Sequence, residues 1–144
     1  APCAAALTEL EGGDDGTADA AVFVAGGRVL AAAARRVRLG DDVLDLGAAV
    51  EALAAAPGRR VAAAVCRDGA VRLLRVAGCL EQSHELRDPV ARPRFGSCGF
   101  CADGEQVVGG VSDGGHALYV WEAQGGALLT RLSHDAADAR ARPP

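Results

Sequence analysis

An all-β fold of about two to three four-stranded antiparallel blades, a partial β-propeller, is what this sequence predicts. Two observations carry the prediction. The first is the stretch Phe100–Glu122, in which an aromatic strand end, an Asp103-Gly104 turn, an alternating strand, a glycine-rich turn and Leu118-Tyr119-Val120-Trp121-Glu122 follow one another. The second is that the same grammar recurs upstream. Pro57-Gly58 precedes Arg60–Val65, and Asp68-Gly69 precedes Val71–Arg75. From Pro57 to Asp103 is 46 residues and from Leu74 to Trp121 is 47. A repeat with four strands per blade has a period of about 40–45 residues with ordinary loops.

The elements follow in order. Residues 1–20, with Glu9, Glu11, Asp14, Asp15 and Asp19 among small residues, show little periodicity and are expected to form an acidic, disordered lead-in. Ala21–Val24, the Gly26-Gly27 turn and Arg28–Leu30 read as a hairpin. Ala31–Ala34 has helix propensity, but the alternating Val29-Leu30 and Val37-Arg38-Leu39 around it favour strand. Val43–Leu46 and Ala48–Leu53 then lead into the first recognisable blade, with the same helix ambiguity over 48–56.

Cys79–Leu86 is expected to be the outer strand of that blade. Arg87–Arg94, which contains Pro89 and Pro93, is the connector, because proline has no N–H to give to a ladder. The clearest blade spans 95–132, from Phe95–Phe100 to Ala127–Leu132, within a partial propeller over 21–132. Residues 133–144, rich in Ala, Asp, Arg and Pro, are expected to be a disordered tail.

Propellers close with about 4–8 blades, so 144 residues are expected to be part of a larger ring. Hydrophobic residues make up 50% of the chain but aromatics only 3%, which predicts a thin, alanine-rich core. All 15 basic residues are arginine, yet the net charge is −4, and a dedicated nucleic-acid binder would be strongly basic. The clusters Arg35/Arg36/Arg38 and Arg87/Arg92/Arg94 therefore read first as solvated charge. No run of about 18 apolar residues and no signal-peptide pattern occurs, so a soluble, intracellular chain with no membrane partner is expected. Five cysteines, an odd number, fit reduced thiols.

Catalytic, cofactor-binding and metal-ligating residues are not expected, nor is a small-molecule substrate. Cys98-Gly99-Phe100-Cys101 lacks a second close ligand pair and ends a strand, where a redox pair would open a helix. Ser83-His84-Glu85 and Ser133-His134-Asp135 place adjacent residues that cannot converge as a triad. Gly109-Gly110 and Gly125-Gly126 read as turn or bulge glycines, since no helix start with Lys-Ser/Thr follows.

Trp121-Glu122 stands where a WD40 repeat closes its third strand with Trp-Asp, which makes Asp103, Gly104, His116, Tyr119 and Trp121 the structural positions of the repeat. Ser112 and Asp113 are candidates for the hydrogen-bonded network that stiffens such blades. His116 lies on the same strand as Trp121, which leaves that network incomplete.

Cys98, Phe100, Asp103, Gly104 and Glu105, followed by His116-Ala117-Leu118-Tyr119-Val120-Trp121-Glu122, resemble the retinoblastoma-binding WD40 subunit of COMPASS-type (mixed-lineage-leukaemia-type) histone methyltransferase complexes. The resemblance covers about residues 60–132. It departs at Leu74, where the family has an aromatic, and in the 112–115 turn, which has one extra residue. It implies a nuclear, non-catalytic scaffold without cofactors, joined to the other core subunits of a SET-domain enzyme that methylates histone H3. It also implies an arginine contact to nucleosomal DNA at Arg92, without the second arginine the family carries just before His116, where Asp113 and Gly114 stand. The alternative reading is a WD40 protein-interaction module with no chromatin role.

Overall fold

The structure is a computed structural model and describes residues 19–56, 60–76, 79–112 and 117–133. Twelve strands among them form three separate four-stranded sheets, each antiparallel and each laid down in chain order. The first comprises β1 (Ala20–Phe23), β2 (Val29–Ala33), β3 (Arg36–Leu39) and β4 (Asp42–Asp45). The second comprises β5 (Val50–Ala55), β6 (Val61–Cys66), β7 (Val71–Val76) and β8 (Leu80–Leu86). The third comprises β9 (Phe95–Phe100), β10 (Gln106–Val111), β11 (Ala117–Glu122) and β12 (Leu128–Ser133). The first strands of successive sheets touch, β1 against β5 and β5 against β9, as they must where blades radiate from a common axis.

The recurrence in the sequence is a recurrence of register. Leu74 on β7 lies opposite Ala62, and Trp121 on β11 lies opposite Val107, in both cases the second residue of the neighbouring strand. The alanine-rich stretches resolve as strand at both ambiguous places, β2 paired on both edges with β1 and β3 and β5 paired on one edge with β6. Ala31 and Ala32 are almost fully buried in β2, and β5 runs through residues 50–55.

Three boundaries differ from the sequence reading: Ala20, within the expected lead-in, opens β1; Ser133, within the expected tail, pairs with Ala117 and ends β12; and the third lies in the alanine run. Strand β2 ends at Ala33, and Ala34-Arg35 is a two-residue hairpin turn in which Ala34 has φ +52°. Such turns favour Gly, Asn or Asp, so the sequence carries no local signal for this one. The Asp19 carboxylate supports the turn by accepting the Ala34 N–H at 2.8 Å. With that turn in place, residues 20–45 form a complete blade of short strands.

Two cores fill the spaces between sheets. Leu30, Val37, Leu39, Ala62, Ala64, Leu74 and their neighbours join the first sheet to the second. Ala63, Val65, Leu73, Phe95, Val107, Tyr119 and Trp121 join the second to the third. Side-chain alternation along β6 sends Ala62 and Ala64 to one core and Ala63 and Val65 to the other.

Gly109 is in mid-strand on β10, not in a turn, paired with both Cys98 and Tyr119. A Cβ there would sit 2.9 Å from a Trp121 ring carbon and 3.0 Å from a Phe95 ring carbon. Both are parts of rigid rings in a packed core, so neither yields cheaply. Gly109→Ala should therefore destabilise the chain by about 1–3 kcal/mol through overpacking. An unchanged denaturant midpoint for this variant would mean that the two rings move aside freely.

Candidate nucleic-acid interface

The connector between β8 and β9 carries Arg87, Arg92 and Arg94, and its path is set by Asp88. The Asp88 side chain accepts the N–H groups of Val90 at 3.0 Å and Ala91 at 3.1 Å on Oδ1, and its carbonyl accepts the Arg92 N–H at 2.9 Å. Its second carboxylate oxygen accepts the Tyr119 hydroxyl at 2.6 Å. The Tyr119 hydroxyl holds the Asp88 carboxyl below the ordinary aspartate range, with the two loop N–H groups adding to the effect. On the other side of the bond, loss of solvent and the neighbouring carboxylate push the Tyr119 phenol up. The Arg131 guanidinium stands 5.5 Å from the centroid of the Tyr119 ring.

Arg92 is exposed at the crest of this loop with φ +48°, a conformation that side-chain-bearing residues seldom adopt. Its Nε is 3.4 Å from the Pro89 carbonyl, and it makes no ion pair among the described residues. Its neighbours in the cluster are committed elsewhere. Arg94 donates to Glu51 Oε1 at 2.7 Å, and Arg67 reaches the same oxygen at 3.3 Å. Arg94 first, then Arg67, holds the Glu51 carboxyl below its ordinary range.

Arg87 donates to Glu85 at 2.7 Å and Asp68 at 3.2 Å. Those two carboxylates also clamp Arg72, whose side chain is 7% exposed. Its Nη1 and Nη2 donate to the Asp68 oxygens at 3.0 and 2.6 Å, and Nη2 also to Glu85 at 2.8 Å. The cluster seen in the sequence is thus a set of internally neutralised pairs around one arginine left to solvent.

The repeat positions fall as follows. Asp103 Oδ1 accepts the Glu105 N–H at 3.0 Å and the Cys101 thiol at 2.6 Å, and Gly104 follows at φ +74° in the same turn. Tyr119 and Trp121 are buried on β11, stacked at 5.6 Å, and both meet the Phe95 ring edge-to-face at 5.2 and 5.3 Å. His116 and Asp113 lie outside the described residues, as do residues 1–18 and 134–144. Ser112 does not serve Trp121: its hydroxyl donates to the Arg94 carbonyl at 3.1 Å, since the end of β10 meets the connector there.

Cys98 and Cys101 face different surroundings. Cys98 Sγ points at the Ala63 carbonyl across the sheet interface, where burial pushes its thiol up to about 12. Cys101 stays in the Asp103 turn. Among the described residues no group of three or more His, Cys, Asp or Glu is placed to hold a metal ion, and no helix is long and apolar enough to cross a membrane.

The Asp88–Tyr119 bond and the Asp68–Arg72–Glu85 clamp are absent from the sequence reading. The only local signal was Asp88-Pro89, a turn-initiating pair. Partners 31 and 13 residues away cannot be read from spacing.

No family model matches the chain. A 52-residue segment, 36% of the chain, is 41% identical to the Set1 complex component swd1 of Schizosaccharomyces pombe, of which it spans 13%. Among solved structures, the Cps50 (Swd1) β-propeller domain of Myceliophteria thermophila superposes with a TM-score of 0.73 at 23% identity. That match covers 81% of this chain and 43% of the solved one, so the chain spans less than half of the propeller it resembles. The chain is thus similar in sequence to Swd1 over the matched segment, and over most of its length it has the fold of a β-propeller.

Proposed function

We propose that the protein to which these blades belong is a non-catalytic scaffold subunit of a COMPASS-type histone H3 lysine methyltransferase complex, acting in the nucleus. The observation that carries this is the 41% identity to a Set1 complex component. A propeller suits the task, since its strands are consumed in a rigid ring and its loops are free to differ and to meet partners. The partners are the other core subunits of the complex and, through Arg92, nucleosomal DNA. A solvent-exposed guanidinium with no carboxylate partner among the described residues suits a phosphate oxygen, a contact that positions without reading sequence.

Affinity purification of the full-length product tests the scaffold role. SET-domain and SPRY-domain proteins should co-purify, whereas unrelated partners would favour a WD40 interaction module outside chromatin. Arg92→Glu in the reconstituted complex tests the DNA contact. Nucleosome binding should weaken, more so at low salt, while methylation of a free histone peptide is unchanged, because counterion release acts at the phosphate and not at the active site. Equal loss on both substrates would indicate damaged folding, and no loss on either would remove Arg92 from the interface.

A further inference from the structure

We infer that Asp88 and Tyr119 are positioning residues for Arg92, forming a strut that runs from the packed third strand of one blade to the crest of the loop before it. The inference rests on the proposed phosphate contact of Arg92 and says how this chain would prepare it. Every polar group of Asp88 named above is engaged in shaping the loop or anchoring it. Two loop N–H groups bind one carboxylate oxygen, the Arg92 N–H binds the carbonyl, and the Tyr119 hydroxyl binds the other oxygen. The anchor itself is immobile, since the Tyr119 ring is 1% exposed and lies between Phe95 and Trp121.

The backbone at Arg92 supplies an independent reason. A non-glycine residue at φ +48° immediately before a proline is an unfavourable conformation, and it persists only where surrounding bonds over-determine it. Asp88 supplies those bonds. Without them the loop would relax and the guanidinium would sample many directions, so the phosphate contact would pay its ordering entropy on binding.

The test is a double-mutant cycle in the full-length protein within the assembled complex, read as nucleosome affinity against salt concentration. Tyr119→Phe removes the anchoring hydroxyl and keeps the ring, and Arg92→Ala removes the guanidinium. Losing one phosphate contact should weaken binding about fivefold near 0.15 M salt and reduce the salt slope by about one. Tyr119→Phe should approach that loss, and adding it to Arg92→Ala should cost nothing further, since the strut has no purpose without the arginine. Asp88→Ala should behave as Tyr119→Phe does, with thermal melting as the folding control.

If Tyr119→Phe is silent beside an effective Arg92→Ala, or weakens binding equally in both backgrounds, the strut is a purely structural bond and the inference is wrong. If Arg92→Ala is itself silent, the phosphate contact is wrong and the positioning role falls with it.

Discussion

Truncating Trp121 to alanine should lower the stability of the chain by about 3–5 kcal/mol, the usual cost of deleting a buried large aromatic side chain. Trp121 is 3% exposed, meets Phe95 edge-to-face, stacks on Tyr119 and fills the space that Gly109 leaves open. The surrounding side chains cannot collapse into the void, because Phe95 and Tyr119 are themselves held between two sheets. A domain of ordinary net stability, about 5–15 kcal/mol, would lose a large share of it. Chemical denaturation followed by circular dichroism measures the effect, and a midpoint equal to the parent's would place the indole outside the load of the core.

Asp68→Ala is expected to be the next most damaging change, at about 2–3 kcal/mol. Breaking a buried ion pair costs about 3–5 kcal/mol when it strands the partner charge; here Glu85 remains 2.8 Å from Arg72 and Asp68 is itself one-third exposed, so the loss is smaller. The effect has a pH signature. Arg72 holds the folded-state Asp68 carboxyl below its ordinary value of 3.8, so the stabilisation is complete above that value and disappears as pH falls through the lower folded one. The gap between parent and variant should therefore be constant at neutral pH and narrow below about pH 4. A gap that did not change in acid would mean that Asp68 acts by packing, not by charge.

The blades differed in how plainly the sequence announced them, for reasons visible in single residues. The third was legible because Asp103-Gly104 marks its first turn and Trp121 its third strand. The second was legible only by offset, since Leu74 keeps the register of Trp121 without being aromatic. The first was recognised as strands but not as a blade, because its central turn uses Ala34 at φ +52° where turn chemistry calls for another residue. Gly109 read as a turn or bulge glycine, and its actual constraint, two aromatic rings against its Cα, comes from residues 12 and 14 positions away.

The candidate interface was legible as a proline-flanked arginine cluster and no further. Spacing shows that Arg87, Arg92 and Arg94 share a connector, but not that two of them are neutralised by Glu85, Asp68 and Glu51 while the third is not. That distinction depends on which carboxylates the turns between strands bring alongside, and those are fixed by tertiary packing.

The second sheet gives one face to each of the two cores, so each core is shared between sheets adjacent in the chain. The middle unit cannot open without forfeiting both of these shared surfaces. Backbone amides of β6 and β7 should consequently exchange with solvent slowly, since opening them disrupts both cores at once. A sequence change in the second sheet is therefore felt in both cores, on either side of it.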